Sequence, residues 1–278
     1  MRANKNLREN PSNKDPDINN HDLFDKRQRK PEIFSVKDVN QDITTQRIQT
    51  YKIGKAEIRF DAPNMTAIFM SSSAKHYEAA KLLYANLISP RIKVRERITF
   101  SNIETVSLYD YFEEIQAAVI MIYSAVESLS NSLIPDDFNI HETKNGVTVV
   151  VDKETIERNK STSEKLKDII PTSYKILSPT KFKCWGRFKE LEKLRNDIIH
   201  LKGASIQNKI KTKHILAQIL DETIFAKIKA ANELIKELAK LLPYHTEYPI
   251  LYNSEPIVPK IINSWDDLGT RPVPDFVP

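Results

Sequence analysis

The chain of 278 residues holds a single cysteine, Cys184, and five glycines. One cysteine excludes an intrachain disulfide and a cysteine-built metal site. Few glycines, with no GxGxxG and no P-loop pattern, exclude the common loops that cradle nucleotide phosphates. No apolar run reaches the length that spans a bilayer, and no signal-peptide pattern opens the chain. These absences lead to the expectation of a cytoplasmic protein without a membrane partner. Hydrophobic residues make up 40% and charged residues 28%, as in an ordinary globular protein. The formal net charge is +5. Basic residues cluster at Lys26–Lys30, Arg91–Arg97 and Lys209–Lys213. Such runs are usually solvated and permit nucleic-acid binding without demanding it.

Most of what is present is helical pattern. Residues 1–30 are Asn, Asp, Lys and Pro without periodicity and are expected to be disordered. Residues 31–72 hold short β-branched runs around Gly54, including "TAIFM", and are expected to form a small β element. "SSSAKHYEAAKLLYANLISP" predicts a helix at about 73–88, capped by serine and stopped before Pro90. Apolar residues from Leu108 to Leu133 recur at helical spacing up to Pro135. Asn145-Gly146 between two β-capable runs predicts a hairpin at about 138–152. "SEKLKDIIP" predicts a short helix ending near Pro171. A helix from Ser178 to Lys202 follows, with Ser178 as N-cap and Gly203 as its stop. One long helix, or two nearly collinear ones, is expected at about 211–242. The Pro-rich tail, 244–278, is expected to be extended. The fold class is thus mainly α: a four- to five-helix bundle over 73–243 with a β-hairpin insertion, a small N-terminal β element and irregular termini.

"LEKLRNDIIHLKG", Leu191 to Gly203, carries the chemistry. On a wheel Leu191, Leu194, Ile198 and Leu201 form the bundle-facing stripe. His200 lies nearly opposite, sharing a face with Asn196, Lys189 and Lys193. Arg195, about 140° from His200, borders the stripe and can snorkel outward. Trp185, Phe188 and Ile199 flank the polar face as a second apolar region, which invites a C2 dimer. Glu127 and Asn131, four apart on the preceding long helix, lie away from that helix's main stripe. A carboxylate there could orient the arginine or the histidine. His76, His141, His214 and His245 are scattered without metal-ligand spacing, so no metal site is read. Cys184 reads as a semi-buried structural thiol, and Tyr109, Tyr111 and Phe112 as core.

"LRNDIIH" late in a helical bundle resembles the Arg-x(4–6)-His motif of the HEPN superfamily. "AVESLSNSLIP", Ala125–Pro135, resembles the first long helix of many members. The resemblance covers about residues 75–242. It implies a metal-independent endoribonuclease with no cofactor, whose composite site forms at a homodimer interface. It places Arg195, Asn196 and His200 as catalytic, with Glu127 and Asn131 supporting. Lys189, Lys193, Lys202 and Trp185 would bind RNA, the tryptophan by stacking a base. Members of this kind act in toxin–antitoxin, abortive-infection or antiphage systems, which implies an inhibitor or trigger protein as a further partner. In toxins controlled by tyrosine modification, a tyrosine stands two residues after the histidine. Lys202 stands there in this chain, so that control is not expected. The alternative is a non-catalytic HEPN-like dimer that binds nucleotide, RNA or a protein.

Overall fold

The structure is a computed structural model describing residues 25–92, 97–144, 146–200, 215–242 and 260–264. The protein is mainly helical, with small sheets. Four β-strands come first: β1 (Glu32–Val36), β2 (Gln41–Thr45), β3 (Ile48–Ile53) and β4 (Ala56–Asp61). The helices α1 (Met65–Leu83), α2 (Ser89–Ile92) and α3 (Asn102–Ser132) follow. A hairpin of β5 (Ile140–Lys144) and β6 (Val147–Val151) precedes α4 (Lys153–Asn159), α5 (Thr162–Glu164) and α6 (Ile170–Tyr174). The chain then forms α7 (Trp185–Ile199), α8 (Ile215–Leu220), α9 (Thr223–Leu241) and β7 (Lys260–Ile262).

The spine is α3. A capping box starts it: Glu104 N–H donates to Ser101 Oγ, and Ser101 N–H donates to the Glu104 carboxylate at 2.9 Å. Its buried stripe includes Tyr111, Ile115, Ile122, Val126 and Leu129. α1 runs antiparallel to it, because Ser73 donates to the Ala118 carbonyl at 2.8 Å while His76 meets Glu114 at 2.7 Å. α7 and α9 complete a common core with Leu191, Leu194, Leu234 and Ile235. Removing the spine's cap with Ser101→Ala is expected to cost about 1 kcal/mol, read as a lower urea midpoint with an unchanged slope.

Several boundaries differ from the sequence expectations. α1 opens at Met65, eight residues early, because the Asn64 side chain accepts from Ala67 N–H at 2.8 Å. "TAIFM" is therefore helical rather than β, and Ser73 is a buried helix residue rather than a cap. The helix also does not stop before Pro90. A π-turn, Tyr84–Ile88, leads directly into α2, which contains that proline. Proline cannot donate to a carbonyl one turn back, and the wide turn falls where a regular ladder would meet its ring. Ser178 does not open α7. It precedes a 3-10 turn, Pro179–Lys181, and α7 begins at Trp185. α6 runs past Pro171 to Tyr174 and ends at Lys175 in a left-handed conformation, φ 54°. α4 has no counterpart among the expected helices.

The hairpin expected at 138–152 forms, with Ile140 opposite Val151 and Gly146 at φ 78°. It leans on a small second core of Ile134, Val151, Ile156 and Ile169. In the N-terminal element β2 pairs antiparallel with β1, while β7 adds parallel to the other side of β1. Three residues of the tail thus lie in the N-terminal sheet. Of the one long helix or two nearly collinear ones expected at about 211–242, the described residues form two, α8 and α9, separated at Asp221, whose carboxylate accepts from Thr223 N–H at 2.8 Å. Residues 211–214 and Gly203 lie outside the described residues. No described helix is long and apolar enough to cross a membrane.

Candidate active site

Leu191, Leu194 and Ile198 bury one face of α7, as the wheel requires. Phe188 is fully buried too, stacked on Tyr123 of α3 with ring centres 6.3 Å apart and planes 6° apart. Trp185 packs beside it at 5.6 Å. The second apolar region expected to seek a dimer partner is therefore largely covered within the chain. α7 is wedged against α3 and α9 and buries a wider arc than a single stripe. Of that region only Ile199 stays exposed.

Arg195 sits at the edge of this contact. Its guanidinium carbon lies 4.7 Å from the Tyr123 ring centre, a cation–π geometry. Nη1 donates to Asn196 Oδ1 at 3.1 Å, and Nη2 stands 4.0 Å from Glu127 Oε2. Nε is enclosed without a hydrogen-bond partner among the described residues. The group thus sits over an aromatic face with its fork incompletely used. Its carboxylate neighbour is at the outer limit of an ion pair.

A second network lies behind Tyr123. The phenol donates to Glu192 Oε1 at 3.2 Å. Ser163 Oγ lies 2.9 and 2.7 Å from the two oxygens of the same carboxylate. Lys189 Nζ donates to Ser163 Oγ at 2.7 Å and forms a short ion pair with Glu192. Two of the lysine's three donors are committed within the chain. Asn131 takes a different partner from Arg195. Its Oδ1 accepts from Lys165 Nζ at 2.7 Å, and the Glu157 carbonyl accepts from the same ammonium at 2.7 Å. Burial lowers the Lys165 pKa, partly opposed by Glu127 and Glu157.

The structure therefore brings Glu127 and Asn196 each to Arg195, Asn131 to Lys165, and Lys189 to Glu192. His200 is the C-cap of α7. Its backbone N–H donates to the Asn196 carbonyl at 2.9 Å, and its side chain is exposed. Lys193 is exposed and makes no ion pair among the described residues. Trp185 is half-buried against Phe188, and Lys202 lies outside the described residues. Cys184 is buried, and burial pushes its thiol pKa up, away from a thiolate nucleophile. His214 and His245 lie outside the described residues, and His76 serves the α1–α3 contact.

Sequence reasoning missed Tyr123, Ser163, Lys165 and Glu192. One signal was available. Tyr123, Glu127 and Asn131 recur every four residues and share one side of α3.

Burial, with the Glu192 and Glu127 charges adding to it, pushes the Tyr123 phenol up to about 12, against the opposing effects of the Thr162 side chain and of Arg195. In an unfolded chain the phenol loses its proton near pH 10. The stability it contributes is thus full below pH 10 and is lost as pH rises toward 12. Alkaline titration at the phenolate absorbance band is expected to lose a transition near pH 12 in Tyr123→Phe.

No family model matches the chain, and neither a curated protein nor a solved structure matches it.

Proposed function

We propose that this face of α7 is the catalytic face of an endoribonuclease of HEPN type, a member of an HEPN-like bundle family. The observation that supports it is Arg195: a guanidinium laid on Tyr123, beside Asn196, one helical turn before an exposed His200. RNA supplies the nucleophile. The 2′-hydroxyl loses its proton and attacks phosphorus, the bond to the 5′-oxygen breaks, and that oxygen takes up a proton. A 2′,3′-cyclic phosphate and a 5′-hydroxyl result. An imidazole suits either proton transfer at neutral pH, and His200 has that role. Arg195 holds the charge that gathers on the phosphorane oxygens, with forked donors that no pH change removes. Asn196 holds the fork. Glu127, only loosely paired at 4.0 Å, yields the cation to a phosphate oxygen. Lys193 steers the backbone.

The reaction needs no cofactor in this reading. A homodimer with a composite site follows from the family resemblance, without the apolar support once expected from Phe188 and Trp185. Such an enzyme in a cytoplasm endangers its host. An antitoxin, inhibitor or phage-derived trigger is therefore part of the proposal.

A second reading has its own observation. Arg195 and Lys189 already have partners within the chain, as a structural staple or a binding module would. Expression separates the two. Wild-type protein is expected to arrest growth and to leave new 5′-hydroxyl RNA ends in the arrested cells. Unimpeded growth with unchanged RNA ends, in the absence of any restraining partner, favours the binding module.

A further inference from the structure

Phe188, Glu192 and Arg195 stand at i, i+4 and i+7 along α7, which is one face of a helix. All three meet a single side chain of α3, the buried Tyr123. Each takes a different part of it. Phe188 stacks on the ring, with centres 6.3 Å apart and planes 6° apart. The Glu192 carboxylate accepts from the hydroxyl at 3.2 Å. The Arg195 guanidinium carbon stands over the ring, 4.7 Å from its centre.

Polar partners do not fix the arginine by themselves. Asn196, whose Oδ1 is 3.1 Å from Nη1, is the next residue of the same helix and moves with it. Glu127 is 4.0 Å from Nη2, and its side chain is 42% exposed. An arginine side chain has many rotamers, and a phosphate oxygen needs the fork in one place. The ring supplies that place, because a cation is drawn to an aromatic face. The ring itself is pinned. Phe188 is fully buried against it. Glu192 is buried as well, with Ser163 Oγ at 2.7 Å and Lys189 as its ion-pair partner.

We propose that Tyr123 is a positioning residue: its ring fixes the Arg195 guanidinium, and the Glu192 network fixes the ring. The purpose of that positioning rests on the α7 face being catalytic. Tyr123 touches no reacting atom. It sets where the cation waits for the phosphorane, and Lys189 serves that cation through Glu192 and the ring instead of holding the RNA backbone.

The test joins NMR of the Arg195 Nε–H group to the kinetics of a quenched fluorescent oligoribonucleotide. Nε is enclosed, so its proton is shielded from exchange, and the ring current of Tyr123 displaces its resonance. Arg195→Ala assigns the signal. The displaced signal is expected to persist in Tyr123→Phe and to be lost in Tyr123→Leu. Tyr123→Met, which fills space flexibly, replaces leucine if that variant fails to fold. In Tyr123→Leu, kcat is expected to fall about tenfold or more while KM changes by less than about threefold. Tyr123→Phe keeps the aromatic face and is expected to hold kcat within about threefold of wild type. In an Arg195→Ala background the leucine substitution is expected to cost nothing further. An equal loss in both backgrounds would mean that Tyr123 acts on the fold at large, and overturns the proposal. So does a signal that stays in place in Tyr123→Leu, whether or not the protein cleaves RNA. A signal that moves in a protein that cleaves nothing sustains the positioning of Arg195 and overturns the nuclease reading alone.

Discussion

Arg195→Ala is expected to lower RNA cleavage by about 10²–10³-fold, the usual cost of removing a donor aimed at a developing oxyanion. Arg195→Lys is expected to recover little of that. An ammonium keeps the charge but has no planar fork to present to phosphate. His200→Ala is expected to lose about 10²–10⁴-fold. The two substitutions differ in their effect on the fold. His200 is exposed at the end of α7, so its removal should leave thermal unfolding unchanged. Arg195 loses a cation–π contact of about 0.5–1 kcal/mol, small against the kinetic effect. If both variants keep wild-type cleavage rates, the α7 face is not catalytic. If Arg195→Ala alone loses cleavage and also melts early, the staple reading explains it better.

Glu192→Ala is expected to be the most destabilising change in the polar region. The carboxylate is 8% exposed and is the shared acceptor for Tyr123, Ser163 and Lys189. Its removal leaves a buried phenol and a hydroxyl without their acceptor and an ammonium without its counter-ion. Breaking one side of such a pair costs about 3–5 kcal/mol, discounted here because Lys189 is 44% exposed. A loss of about 2–4 kcal/mol remains. It would be read as a fall in Tm of about 5–10 °C. Glu192→Gln keeps an acceptor for Tyr123 and Ser163 and loses the ion pair, so a smaller fall is expected. Equal falls for both variants would mean that charge, not hydrogen bonding, holds the network. No fall in either would remove Glu192 from the account of stability.

The legible parts of the fold were those that repeat. α3 and α9 carry apolar residues at helical spacing over several turns, and Asn145-Gly146 marks its hairpin. α4 is short, and its single buried residue, Ile156, makes no pattern. The start of α1 was hidden because Thr66, Ile68 and Phe69 have β-like identities. The Asn64 cap and burial against neighbours override that preference. Ser178 and Pro179 have the chemistry of a helix start, and they do start one, but it lasts three residues.

At the candidate site, Glu127 was legible because four-residue spacing predicts a shared helix face. Ser163 and Lys165 come from another segment, and only tertiary packing brings them in. Lys189 and Glu192 read as a solvated pair at i,i+3. The burial that makes Glu192 a hub comes from Tyr123 and Ser163, which the linear pattern cannot place. The face expected to bind RNA thus has one lysine, Lys193, left exposed and unpaired among its described members.

The decisive measurement is incubation of wild-type protein and His200→Ala with total RNA and tRNA in the presence of a chelator. If His200 drives attack by the 2′-hydroxyl, wild type leaves 2′,3′-cyclic phosphate and 5′-hydroxyl ends, and the variant leaves the RNA intact. Equal cleavage by both proteins, or ends of another chemistry, would contradict it.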